Sequence, residues 1–126
     1  MISNNITVVG SIALDSLETP KGNREALLGG SAMYFSLSAS LFSKVELIGI
    51  VGTDFPENGW ETLKSKNIDY TNIEIKEGKT FSWGGRYSED YSTRDTLFTE
   101  LGVFETYKPV IKNSLNENGI LFLANI

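Results

Sequence analysis

Apolar residues follow two different rhythms along this chain. In "NITVVGSIALD", Asn5 to Asp15, the residues Ile6, Val8, Val9 and Ile12 succeed one another almost without polar interruption. A run of that kind fits a strand buried on both faces of a parallel sheet. "KVELIGIVG", Lys44 to Gly52, and the C-terminal "GILFLANI" have the same character and are expected to be strands too. Between the first two, "SAMYFSLSASLF" places Phe35, Ala39 and Phe42 on one helical stripe and Met33, Leu37 and Leu41 on another. Ser36, Ser40 and Ser43 fall on a third line, so a helix packed on two sides is predicted. A second helix is read in "DFPENGWETLKSKNID", with Asp54 as N-cap, Pro56 in the first turn, Trp60 and Leu63 on one face, and Asn67 where a left-handed C-cap falls. A short third helix is read from Tyr107 to Leu115, tilted by Pro109. Strands and helices in alternation predict an α/β fold with a mostly parallel sheet and right-handed crossovers.

The second rhythm has a period of two. In "KTFSWGGRYSEDYSTRDTLFTEL", Phe81, Trp83, Gly85 and Tyr87 alternate with Thr80, Ser82, Gly84 and Arg86. After a polar turn over Ser88 to Ser92, Arg94, Thr96 and Phe98 alternate with Asp95, Leu97 and Thr99. This predicts an antiparallel hairpin. The segment from Leu14 to Leu28, with its own turn at Pro20 and Gly22, supplies neighbouring strands for a small separate sheet. The expected picture is a lid, built from about residues 14–28 and 79–101, beside a doubly wound core. About three core strands are visible where doubly wound sheets usually have about five or more, so residues 1–126 are expected to be the N-terminal part of something longer.

Composition narrows the chemistry. With 126 residues, 40% of them hydrophobic, the chain is sized for one domain with a single core. The balance of 11 Lys and Arg against 16 Asp and Glu gives a net charge of -5, which argues against nucleic acid as a partner. There is no cysteine and no histidine, which removes disulfides, thiolate nucleophiles, zinc sites of the usual kind and His-based triads. No charged-then-apolar leader opens the chain and no apolar run approaches about 20 residues, so no membrane span and a cytoplasmic location are expected.

Carboxylates, hydroxyls and backbone remain. In an open parallel sheet, ligands gather at the carboxyl ends of strands. Asp15 follows the first strand, Gly29 and Gly30 open the first helix, and Asn125 ends the last strand, so all three are expected at one rim. A free helix N-terminus beside paired glycines presents backbone N–H groups to hydroxyl or anionic oxygens, and a carboxylate accepts from two vicinal hydroxyls. A polyol such as a sugar fits. Arg86 and Arg94, on opposite arms of the hairpin, either face one side together to meet a phosphate or carboxylate, or pair with Glu89, Asp90 or Asp95 on a solvated face, the reading favoured here.

"VVGSIALD", "LGGSAMYFSLSASLF", "LIGIVGTDFPENG" and "NIDYTNI", in that order and at these separations, resemble the N-terminal part of ribokinase-like carbohydrate kinases, the PfkB family, over nearly all of the chain. The resemblance implies an α/β sandwich with a β-lid that closes over a sugar or nucleoside and ATP with Mg2+, transferring the γ-phosphoryl group to a substrate hydroxyl. It assigns Asp15 to substrate hydroxyls, and Gly29 and Gly30 to close approach of substrate to the main chain. Tyr34 stands where ribokinase-type members carry a sugar-contacting asparagine, and is either a substrate contact or a core aromatic. The family's "GAGD"-type motif, which holds the catalytic base and anion hole, is not among these residues. No catalytic residue, metal ligand or nucleotide site is therefore expected in this chain, which alone should not turn over. Lids of this family often pair between subunits, so a homodimer through the lid is expected. A non-catalytic binding or dimerisation module is the competing reading; a dinucleotide-binding oxidoreductase ranks last, because "VVGSIALD" lacks the G-x-G-x-x-G spacing.

Overall fold

The continuous apolar runs and the alternating ones fold into different sheets. The computed structural model describes residues 5–111 and 119–125. In chain order these form β1 (Asn5–Val9), β2 (Ala13–Thr19), β3 (Gly22–Gly29), α1 (Ser31–Ala39), β4 (Lys44–Gly52), α2 (Glu57–Ser65), β5 (Ile73–Lys76), β6 (Ser82–Tyr87), β7 (Arg94–Glu100), a 3-10 helix (Gly102–Thr106) and β8 (Ile120–Leu123).

The first sheet has the order β5-β4-β1-β8. Its neighbours are all parallel, with Val8 level with Leu47 on one side and Phe122 on the other, and Gly49 level with Ile73. Leu47 through Gly52 are buried without a break, as a strand covered on both faces requires. Val8, Ile12, Met33, Leu47, Val51 and Leu63 form the centre of the core. The run from Asn5 to Asp15, read as one strand, is two: β1 ends at Val9, and the chain re-forms a strand at Ala13 in the other sheet. The break falls where the buried Ser11 leaves the ladder to bond the start of α1, while Ile12 stays fully buried.

α1 turns Ala32, Met33 and Ser36 into the core. It stops at Ala39, so Leu41 and Phe42 lie beyond it, and Phe42 is 88% exposed rather than part of a packed stripe. The serine line is not polar throughout, because Ser36 is fully buried. In α2, Gly59 and Leu63 face inward, and Trp60 stands edge-on to Phe55 with ring centroids 4.8 Å apart. Asn67, at φ 55, supplies the left-handed residue after the helix. Pro56 rather than Asp54 is the N-cap, with no side-chain capping bond. Asp54 instead reaches across to the other layer, where its Oδ1 accepts from Thr80 N–H at 2.8 Å and Thr80 Oγ1 at 2.7 Å.

The second sheet has the order β3-β2-β6-β7, with antiparallel β2–β3 and β6–β7 hairpins joined through a parallel β2–β6 contact. All of β7 is exposed. Asp90 organises the turn after β6, accepting from Ser88 Oγ, Ser92 N–H and Ser92 Oγ, and these bonds hold its carboxyl down to about 2. Of the third helix expected over Tyr107–Leu115, residues 107–111 are not helical, and residues 112–115 lie outside the described residues. A 3-10 turn at Gly102–Thr106 takes its place, with Val103 buried and Phe104 stacked on Phe81 at 5.5 Å.

Two layers meet at a polar junction. Thr80, 2% exposed, uses Oγ1 to accept from Gly52 N–H at 2.9 Å while donating to Asp54. Lys79 carbonyl accepts from Val103 N–H, and Phe81 carbonyl from Leu14 N–H, both at 2.9 Å. The chain entering β6 is thus fixed to the carboxyl end of β4, to the 3-10 turn and to β2.

Candidate functional site

The rim begins with one hydroxyl. Ser11, placed just past the carboxyl end of β1, is 1% exposed. Its Oγ accepts from Ser31 N–H at 3.1 Å and donates to the Asn125 carbonyl at 3.1 Å, while its own carbonyl accepts from Ala32 N–H at 3.1 Å. Ser31 Oγ donates to the same Asn125 carbonyl. The first two amides of α1 are therefore capped from within the chain by a residue 20 positions upstream. The expected free helix N-terminus is not free at Ser31 and Ala32. Asn125 does come to the rim, but through its backbone carbonyl, where two hydroxyl donors occupy it.

Asp15 and the paired glycines come together. β2 and β3 pair antiparallel with Ala13 level with Gly29 and Asp15 level with Leu27, which puts all four on one face. A β-carbon on Gly29 would fall 2.6 Å from Asp15 Cγ, so only glycine leaves the carboxylate its position. Gly30 has φ +92, and a β-carbon there would lie 2.7 Å from the Ser11 carbonyl carbon. The pair therefore answers two separate demands: room for a carboxylate, and a left-handed bend against the connection from β1 to β2. Asp15 is half-buried; desolvation raises its pKa above the usual carboxylate value, and the positive charge of Arg94 pulls it partly back.

The remaining residues divide. Tyr34, one turn after Gly30 on the same helix face, is 59% exposed, which removes the core reading and leaves its phenol at the rim. Arg86 and Arg94 do not share a side, because Arg94 is level with Tyr87, the residue after Arg86. Nor do they pair with Glu89, Asp90 or Asp95. Arg86 Nε donates to Glu18 Oε2 at 2.7 Å. The Arg94 guanidinium stands over Trp83, 5.1 Å from the ring centroid. Trp83 is level with Asp15 across β2 and β6, so Asp15, Trp83 and Arg94 occupy a single face of the second sheet.

Sequence reasoning missed Ser11, Thr80 and the placing of Trp83. Ser11 had a signal, a polar residue after Gly10 interrupting an apolar run. Thr80 and Trp83 had none, since Thr80 depends on Gly52 and Asp54 at and after the end of β4 and Trp83 on the parallel β2–β6 contact, both between segments distant in sequence. The arrangement offers a carboxylate acceptor seated on a glycine, an aromatic plane and a cation. Among the described residues no group of His, Cys, Asp and Glu could hold a metal ion, and no helix is long and apolar enough to cross a membrane.

No family model matches the chain. A cytidine kinase of Thermococcus kodakarensis is 36% identical over 100 residues, which are 79% of this chain and 35% of that protein. A nucleoside kinase from Methanocaldococcus jannaschii, described as an archaeal member of the ribokinase family, is 26% identical with a TM-score of 0.76 over 95% of this chain and 44% of its own. A ribokinase from Cryptococcus neoformans in complex with ADP, 21% identical, shares the fold with a TM-score of 0.77 over 98% of this chain and 41% of its own. This chain thus spans about a third of the length of the curated relative and less than half of each structure. In fold it is a ribokinase-like α/β chain, and in sequence it is similar to part of a cytidine kinase and to part of a nucleoside kinase of the ribokinase family.

Proposed function

We propose that this chain is the acceptor-binding part of an ATP-dependent kinase that transfers the γ-phosphoryl group to a hydroxyl of a nucleoside or sugar. The observation that carries the reading is the packing of the Asp15 carboxylate on Gly29, at the rim where β1, β3 and α1 meet. The ionised carboxylate accepts from two vicinal hydroxyls and fixes the ring. Gly29 and Gly30, lacking side chains, leave room for that carboxylate and for the Ser11 main chain, and so set the place from which Asp15 meets the ring. Tyr34 stands at the edge of the same rim. ATP, with Mg2+, supplies the phosphoryl group; no residue of this chain is assigned to either, nor to the base that accepts the hydroxyl proton. The chain's own contribution is orientation and partial exclusion of water, which is a large part of phosphoryl transfer. On this reading residues 14–28 and 79–101 act as the lid, the chain by itself does not turn over, and the activity is cytoplasmic.

Phosphoryl transfer from ATP to a panel of nucleosides and sugars tests it, using the full-length protein that contains this chain, with and without Asp15→Ala. Loss of two charge-assisted hydrogen bonds predicts a fall in kcat/KM of about 100-fold or more. An undiminished kcat/KM in the variant removes the assigned role.

A second reading is a non-catalytic module that dimerises through the second sheet. It is favoured by one feature, the fully exposed β7 edge carrying Leu97 and Phe98. A homodimer is equally compatible with the kinase. Sedimentation of a Leu97→Lys, Phe98→Lys variant separates the cases: an unaltered oligomeric state removes the dimer contact, and retained phosphoryl transfer removes the non-catalytic reading.

A further inference from the structure

Trp83 and Arg94 remain once Asp15 and the glycines have their roles. Trp83 is level with Asp15 on the adjacent strand, the two backbones one strand spacing of about 4.8 Å apart, and its side chain leaves from the same face. Gly85 keeps that face bare beyond it: a β-carbon at Gly85 would lie 2.7 Å from Trp83 Cζ2, so the ring lies down across the glycine instead of standing off the sheet. Trp83 Nε1–H donates to Thr96 Oγ1 at 3.3 Å, which pins the ring's orientation. Above it stands the Arg94 guanidinium, 5.1 Å from the centroid and near enough for its charge to act on Asp15. Arg86 plays no part, being held by Glu18 on the opposite face.

A bare sugar uses only the carboxylate of this set. A guanidinium stacked on an indole still has an edge of N–H donors for carbonyl acceptors, and its plane accepts a further aromatic ring. A diol-bearing ring linked to a flat, acceptor-rich heterocycle engages every element at once, and that description is a nucleoside.

We propose that Trp83 and Arg94 form a base-recognition element which, beside Asp15, makes this chain select nucleosides over free sugars. The proposal rests on the kinase reading above and narrows its substrate class. In the full-length protein, Arg94→Ala and Trp83→Leu are compared with wild type on the best substrate among cytidine, uridine, adenosine and guanosine, with Asp15→Ala as reference. Stacking on an aromatic side chain sets the scale: KM for the nucleoside rises about tenfold or more in each variant. Because the vicinal hydroxyls are still held at Asp15 and the ring stays fixed, kcat stays within about threefold. Trp83→Phe, which keeps an aromatic plane, recovers most of the affinity and stands in should Trp83→Leu fail to fold. A nucleoside KM within about twofold of wild type in Arg94→Ala, or a fall in kcat with KM unchanged, overturns the proposal. The kinase reading survives that result if Asp15→Ala is impaired. A wild-type protein that phosphorylates sugars but no nucleoside overturns the proposal alone; one that phosphorylates neither overturns both.

Discussion

β4 and β7 are strands of similar length with opposite surroundings. In β4, six successive residues from Leu47 to Gly52 are buried, and two parallel neighbours flank it. In β7, every residue from Arg94 to Glu100 is exposed, and one neighbour, β6, holds it. The contrast separates two duties. β4 contributes stability, because its apolar side chains leave water on both faces. The second sheet contributes little burial at its outer edge, yet it carries Asp15, Trp83 and Arg94 on one face. On the proposed reading, the residues that meet a ligand are drawn from the more exposed layer, where small rearrangements cost least.

Four substitutions or conditions sharpen or break that division. Leu47→Ala removes a fully buried side chain from the first sheet and should cost about 2–5 kcal/mol in urea denaturation. A smaller loss would show that the core is loosely packed. Thr80→Val acts at the junction: it keeps the shape but orphans the Gly52 N–H and one Asp54 contact, for about 1–3 kcal/mol. Thr80→Ser should restore most of it, and equal losses in both variants would assign the effect to packing instead.

A third test is pH. Burial raises the Asp15 pKa more than Arg94 lowers it, so substrate KM should be flat at neutral pH and climb in acid, beginning above the pH expected of a free carboxylate. Arg94→Ala, which removes the lowering charge, should move the break to higher pH. The effect on folding has the opposite sign: with the folded value raised, Asp15 binds protons more tightly in the native state, so its contribution falls as pH rises. A KM break at or below the ordinary carboxylate value would contradict the desolvation. The smallest effect is expected of Arg86→Ala, since its ion pair with Glu18 is largely exposed and worth under about 1 kcal/mol. A larger loss of thermal stability would mean that the second sheet relies on charge more than its exposure suggests.

Periodicity made much of this fold legible. β4 lies between the residues that the apolar run marks, Lys44 and Gly52, and the β6–β7 hairpin forms where its alternation places it, but a bulge puts Phe98 level with Gly84 and so on the opposite face from Thr96 and Arg94. The nearness of Asp15 to Gly29 was legible as well, though not its cause: Asp15 lies near the start of β2 and not at the end of the first strand, and it meets Gly29 because β3 ends beside it in antiparallel pairing. Local signals failed where a side chain found a distant partner. Asp54 looks like a cap because aspartate often caps, but Thr80 offers it two donors, and Pro56 already starts the helix. The amides at Ser31 and Ala32 look open because no capping side chain sits next to them in sequence; their partner is Ser11. β5 was not read at all. Its four residues bury only Ile73, too short a pattern to distinguish a strand from a loop.

Four stretches of chain cross between the layers, and they are tied in pairs. Ser11 holds the crossing that leaves β1 to the one that enters α1, and Lys79 holds the crossing into β6 to the one that leaves β7. A plate fastened to a frame at two points keeps one rotation, about the line that joins them. Any swing of the second sheet over the rim is thereby a single-axis movement, and Asp15, Trp83 and Arg94, borne on one surface of the plate, travel through it as a set with their spacing unchanged.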